Sequence, residues 1–262
     1  MDDATLYARN AAFIPTGVQA AMRQSVIYAA GSGLASTIVE LACRTGFTRF
    51  ILADGDTVEL SNLNRQAFTH AQIGQNKAAA TADLLQRIRP DVTVEVVPRM
   101  LDEVTCLEPL ARADLVINSL DFDQPAIFAL NRAAQAANKP VLQPVNLGWG
   151  GAVLIFNAET PTLEQFLEVD LATVDYDAVL RRFIERVVRE IPGGLPDYLA
   201  PLLAQFQTDR AWWRESPQLG VAAHLTSALA VRALVALVAR APVRVVPRVV
   251  HCDVRALLEP AG

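Results

Sequence analysis

Over the first 156 residues, short apolar runs alternate with stretches whose apolar positions recur every three or four residues, and this alternation predicts the fold. Residues 25–30 (S-V-I-Y-A-A) read as a buried strand, 33–45 as a helix and 49–54 (R-F-I-L-A-D) as a second strand. Strand, helix and strand within about thirty residues form the parallel crossover unit. The pattern then repeats: helix over 75–87, strand over 92–97, strand over 113–118, helix over 123–137, and strands over 140–145 and 151–156. The expected fold class is α/β, with a doubly wound, mostly parallel sheet.

From residue 157 the texture changes. An arginine-rich helix is predicted over 179–190, followed by the breaker I-P-G-G-L-P at 191–196. Residues 222–238 resume as a buried helix and 243–250 as a closing strand. The chain is therefore read as one domain over 1–262, with an amino-terminal arm (1–24), a core (25–156), a helical excursion (157–218) and a return to the core (219–262).

At 262 residues and 52% hydrophobic composition, the chain can bury a substantial interior. A net charge of -5 with no basic tract argues against a nucleic-acid surface. The acidic start M-D-D-A-T-L lacks the layout of a signal peptide, so a cytoplasmic setting is expected. The longest apolar stretch carries His224 and Arg232, which reads as a buried helix and not a membrane span. Cys43, Cys106 and Cys252 are scattered singly, so neither structural zinc nor a disulfide framework is expected.

The candidate chemistry sits between residues 31 and 121. Gly31 and Gly33 in G-S-G-L-A-S fall at a strand-to-helix turn, where backbone can approach phosphate at a helix N-terminus. By itself that turn could equally serve only to pack helix on strand. Asp54 follows about twenty residues later, where an acid accepts from ribose hydroxyls. Up to this point a dinucleotide and a triphosphate fit equally. Arg65 and Lys77, the latter one of two lysines in the chain, add the cations that a triphosphate's outer oxygens demand. The ordinary alternatives are a surface ion pair for Arg65 and a solvated helix face for Lys77. Asp121 follows the strand D-L-V-I-N, at the carboxyl edge where such sheets bind ligands, and could hold Mg2+. The neighbouring Asp123 is read as a helix cap.

The segments V-I-Y-A-A-G-S-G-L-A-S, L-A-D-G-D-T-V-E-L-S-N-L-N-R-Q, I-G-Q-N-K and D-L-V-I-N-S-L-D resemble the ThiF/MoeB/HesA family of ubiquitin-activating-enzyme-like adenylyltransferases. The likeness runs over residues 9–156 and is densest in S-N-L-N-R-Q with its spaced lysine. It implies a Rossmann-like fold, a homodimer, and the use of ATP and Mg2+ to adenylate a carboxylate. That carboxylate would be the C-terminus of a small ubiquitin-fold protein or peptide, or a small-molecule acid. Gly33 would approach phosphates and Asp54 the ribose. Asn62 and Arg65 would contact phosphate oxygens, Gln66 would brace that arm, Lys77 would neutralise the triphosphate and Asp121 would position Mg2+. Arg9, in Y-A-R-N, resembles the arginine that the family extends into the partner's site; a solvated arm is the alternative.

Ala30, Ser32 and Ala35 stand where the family commonly has glycine, and Asn118 and Phe122 replace an acid and an asparagine beside Asp121. No cysteine lies between residues 107 and 251, the span in which relatives place a nucleophile. An acyl-adenylate without an enzyme thioester is therefore expected. A nucleotide-binding scaffold and, less well supported, a nicotinamide-dependent oxidoreductase are the rival readings. Trp149 is read as packing a sheet edge more readily than covering a substrate channel, Trp212 and Trp213 either line an acceptor groove or anchor the excursion, and His70, His224 and His251 are assigned structural roles.

Overall fold

Residues that are apolar without interruption form strands buried on both faces, and those apolar on one stripe form the helices that cover them. The computed structural model describes residues 2–191, 194, 196–208 and 217–258. Along the chain run α1 (Asp3–Leu6), α2 (Thr16–Gln24), β1 (Val26–Ala30), α3 (Ala35–Thr45), β2 (Arg49–Ala53), α4 (Lys77–Ile88) and β3 (Thr93–Val97). They are followed by β4 (Leu115–Asn118), α5 (Ala126–Ala136), β5 (Val141–Leu147), β6 (Gly150–Phe156), α6 (Leu163–Leu167) and α7 (Tyr176–Arg189). The chain continues through α8 (Ala200–Thr208), α9 (Gly220–Val238), β7 (Val250–Asp253) and α10 (Val254–Leu258).

The seven strands form one sheet in the order β3-β2-β1-β4-β5-β6-β7. The first five are mutually parallel, whereas β6 runs antiparallel to β5 and β7 antiparallel to β6. The expected doubly wound, mostly parallel sheet is thus observed. Strand order reverses between β1 and β4, and in open α/β sheets such a switch point opens a crevice at the carboxyl ends.

On one face, Ile27, Leu52 and Ile117 pack with Ile38, Ala42, Leu85 and Leu234 from α3, α4 and α9. On the other, Tyr28, Val116 and Leu154 pack with Phe128, Phe166 and Phe183 from α5, α6 and α7. The apolar helix α9 is long enough to cross a membrane by length and composition, and half of that span is buried inside the protein. It lies against β5, β6 and α3. At Gly151 a Cβ would sit 2.4 Å from the Thr226 nitrogen, so only glycine lets α9 rest directly on β6.

Three expectations need correction. The closing strand is Val250–Asp253, not 243–250: Pro247 has no N–H for a ladder, and residues 243–249 run outside the strand. Cys252 consequently lies within β7. Asp123 caps nothing, because α5 begins after Pro125, whose ring suits a helix start and leaves no side-chain cap. Trp212, Trp213 and part of the 191–196 breaker lie outside the described residues. Trp149 does not pack a sheet edge: it is 41% exposed in the β5–β6 turn.

Arg89, with a side chain only 1% exposed, docks the arm. Its Nε donates to Asp91 (2.7 Å), its Nη1 to the Tyr7 hydroxyl (3.0 Å) and its Nη2 to Asp3 (2.5 Å). The Arg89 guanidinium holds the Asp91 carboxyl well below the ordinary range. A carboxylate with a depressed folded pKa stabilises above its unfolded value, so docking weakens as pH falls below about 3.8. Removing Arg89 strands partly solvated acids. We expect Arg89→Ala to lose about 2–4 kcal/mol of unfolding free energy in urea melts and to speed proteolysis within residues 2–14.

Candidate nucleotide-binding site

The crevice at the β1/β4 switch point is a cavity of about 1150 Å3. Gly31 makes its floor possible. Its φ is +83°, and a Cβ there would lie 2.5 Å from the Ser119 carbonyl oxygen at the end of β4. Gly33 faces Gln66, whose Nε2 would be 3.3 Å from a Cβ. The neighbouring positions where the resemblance leads one to expect glycine need no such freedom: Ala30 ends β1, Ala35 opens α3, and Ser32 uses its N–H to donate to Asp54 (2.6 Å).

Asp54 sits at the end of β2, accepting from the Ser32 and Asp56 amides (2.6 and 2.8 Å). Burial nevertheless raises its pKa above the ordinary carboxylate value. Asn76 caps α4 by accepting from Ala79 N–H (3.1 Å) and donates to the Asp54 carbonyl (2.8 Å), which ties the helix start to the strand end. Lys77 is therefore the first residue of α4 and projects into the cavity, with its side chain only 12% exposed. A cation at a helix N-terminus opposes the dipole, and here its Nζ is paired with Asp56 at 2.9 Å. The solvated-face alternative for Lys77 does not hold.

Arg65 lies in the loop between β2 and α4. Its Nη1 donates to the Ser61 carbonyl and Asn64 Oδ1, both at 2.8 Å, while its Nε is buried without a partner. Among the described residues no carboxylate pairs with it, and burial lowers its pKa. The surface ion-pair alternative fails as well. Asn62 lines the same wall but spends its Oδ1 on the Glu59 N–H (3.0 Å), stabilising its own turn. Gln66 lines it too, with a buried Oε1 lacking a partner.

Asp121 completes the rim on the β4 side. The residue is exposed at the cleft, though the protein around it still desolvates its carboxyl. Burial raises its pKa, with Asp123 and Asp56 adding like-charge repulsion. Crowded carboxylates beside two cations suit a divalent ion shared with phosphate oxygens. Among the described residues no group of three or more His, Cys, Asp or Glu could hold a metal alone, so one protein carboxylate plus nucleotide is the mode that fits.

Gly31, Gly33, Asp54, Asn62, Arg65, Gln66, Lys77 and Asp121 all line this one cavity. Arg9 does not. It is exposed in the arm, which is held at the C-terminal end of α3 by Tyr7 (hydroxyl to Cys43 carbonyl, 3.1 Å) and Asn10 (to Thr45 carbonyl, 3.0 Å). Reading the sequence missed Asp56, visible as the second acid of D-G-D. It also missed Gln143, an amide inside the apolar run V-L-Q-P-V, and the α7 residues that wall the cavity.

Fold and site together define a doubly wound α/β protein whose switch-point crevice is lined by two cations and several carboxylates. The chain belongs to the ThiF family, whose model matches residues 7–257. A sulfur carrier protein adenylyltransferase from Thermus thermophilus is 31% identical over 147 residues, 56% of this chain and 54% of that one. The Escherichia coli sulfur carrier protein ThiS adenylyltransferase is 29% identical over 150 residues, 57% of this chain and 58% of that one. The match thus spans little more than half the length of these relatives. Among solved structures, PaaA superposes with a TM-score of 0.67 at 17% identity, covering 97% of this chain and 83% of its own. Escherichia coli MccB with AMPCPP and MccA gives 0.63 at 15%, covering 91% and 65%. Both share the fold.

Mg2+ held at Asp121 would require the ionised carboxyl, whose pKa burial raises above the ordinary carboxylate value. Nucleotide affinity measured by calorimetry with Mg2+ should therefore fall as pH is lowered from neutral toward the carboxylate range, with a smaller change in Asp121→Asn. Equal pH dependence in both proteins would remove Asp121 from metal binding.

Proposed function

We propose that this protein is an adenylyltransferase that uses ATP and Mg2+ to convert a carboxylate into an acyl-adenylate with release of pyrophosphate. The convergence of Asp54, Arg65, Lys77 and Asp121 on one cavity carries the reading. Family membership and relatives named as sulfur-carrier adenylyltransferases support it. The C-terminus of a small ubiquitin-fold protein or peptide, or a small-molecule acid, is the substrate class.

The chemistry follows from charge. A carboxylate is ionised at neutral pH and needs no general base to attack the α-phosphorus. As the new P–O bond forms, the bond to the β-phosphate bridge breaks and its electron pair leaves with pyrophosphate. Asp54 accepts from the ribose hydroxyls, and the Gly31–Gly33 turn brings backbone close to phosphate. Arg65, which has no carboxylate of its own, and Lys77, released from Asp56, neutralise the departing pyrophosphate. When bound at Asp121, Mg2+ adds positive charge to the phosphates.

Burial pushes the Cys43 and Cys106 thiols up to about 11, which leaves little thiolate at neutral pH. None of the three cysteines lines the cavity. Both points support an adenylate that is passed on without an enzyme thioester. Arg9 stands away from its own cavity, which is compatible with a solvated arm or with an arm that reaches a partner's site; we propose the latter, in a homodimer working in the cytoplasm.

Arg65→Ala and Lys77→Ala should each lower ATP–pyrophosphate exchange about 10²–10³-fold while retaining the wild-type circular dichroism. Near-normal exchange in either would remove the role assigned to that residue. The triple Cys43→Ala, Cys106→Ala, Cys252→Ala variant should keep exchange within about threefold. Nucleotide binding without AMP formation across a panel of carboxylates would favour a scaffold.

A further inference from the structure

We infer that the β5 end of this cavity is an acyl-side subsite for an apolar C-terminal residue of a peptide, and that Gln143 reads that residue's amide N–H. The inference rests on the adenylation reading and deepens it. The sheet order supplies the geometry. Asp54 at the end of β2 marks the ribose, Met100 beyond β3 lies on the base side, and Gly31, Arg65 and Lys77 mark the phosphates. An acyl group attacking the α-phosphorus must then lie across the switch point, over β4 and β5.

There the lining changes character. Helix α7 carries two apolar stripes. Val179, Phe183 and Val187 are buried in the core, whereas Leu180, Ile184 and Val188, spaced four residues apart, are only partly buried and line the cavity. Its polar residues Arg181, Arg182, Glu185 and Arg189 are exposed. A helix that walled off only water and polyphosphate would not turn a second apolar stripe inward. Single-ligand pockets run to roughly 300–1000 Å3, and a cavity of about 1150 Å3 leaves room beside a nucleotide.

Gln143 lies in the strand floor of this end. It is 1% exposed, and among the described residues its Oε1 has no hydrogen-bond partner. Its same-face neighbours along β5, Val141 and Val145, are apolar and offer it nothing. Buried amides are normally satisfied, so this one awaits a donor. A peptide N–H next to the reacting carboxylate supplies it, and the adjoining side chain meets Leu180, Ile184 and Val188. A C-terminal glycine would leave that wall uncovered, and an acidic terminus would bury charge against it.

The test uses protein saturated with α,β-methylene-ATP and Mg2+, titrated calorimetrically with N-acetyl dipeptides. Ac-Gly-Leu should bind about tenfold more tightly than Ac-Gly-Gly or Ac-Gly-Asp. Gln143→Met, similar in length but without the acceptor, should weaken Ac-Gly-Leu about five- to tenfold. It should not weaken the ester analogue in which oxygen replaces the leucine N–H. Leu180→Asn, at a partly exposed position, should shrink the leucine preference. The inference is overturned if Ac-Gly-Gly binds as well as Ac-Gly-Leu, if no dipeptide binds the nucleotide-loaded protein, or if Gln143→Met weakens peptide and ester alike. Failure of the wild type to bind the nucleotide would instead overturn the adenylation reading.

Discussion

At the seam between β1 and β4 there is no room for a side chain. The carbonyl of Ser119 occupies the space where a Cβ on residue 31 would sit, and the backbone there adopts a φ that strains any other residue. That close approach joins the ends of two strands separated in sequence by nearly ninety residues, and the Ser32 N–H ties Asp54 at the end of β2 to the same floor. The floor of the cleft and the position of Asp54 depend on this junction. Residues 30, 32 and 35 make no such approach, and side chains are accommodated there.

Charge in the cleft is not balanced pair by pair. Arg65 is half-sheltered and, among the described residues, paired with no carboxylate, and Lys77 is set against its own helix dipole and held by Asp56. Asp54 and Asp121 are ionised only against a burial penalty. A polyanion with a divalent cation would relieve both sides, which is the physical basis of the proposed nucleotide reading.

The cation loop is braced from parts of the chain that lie far off in sequence. The Ala67 N–H donates to Ser36 on α3 at 3.0 Å, and the Asn64 side chain donates to the Gln218 carbonyl at 3.1 Å. The start of α9 packs so tightly on this loop that a Cβ at Gly220 would lie 2.7 Å from the Asn64 carbonyl oxygen. The return of the chain to the core after the excursion therefore holds Arg65 in place, besides filling a layer of the fold.

Much of this was legible in one dimension. Uninterrupted apolar runs have one physical solution, a strand covered on both faces, so six of the seven strand readings fell within a residue or two. The exception, 243–250, misled because an apolar run containing Pro247 satisfies the pattern but not the ladder. Residue chemistry and spacing also sufficed to nominate Asp54, Arg65, Lys77 and Asp121, because strand ends in such a sheet share one edge. What residue order could not carry were relations set by packing: Asp56 beside Lys77, the empty valence on Gln143, the inward turn of Leu180, Ile184 and Val188, and the retreat of Arg9 to the far end of α3. Each depends on which surfaces of separately folded elements come to face one another, and that is decided only when the layers close on the sheet.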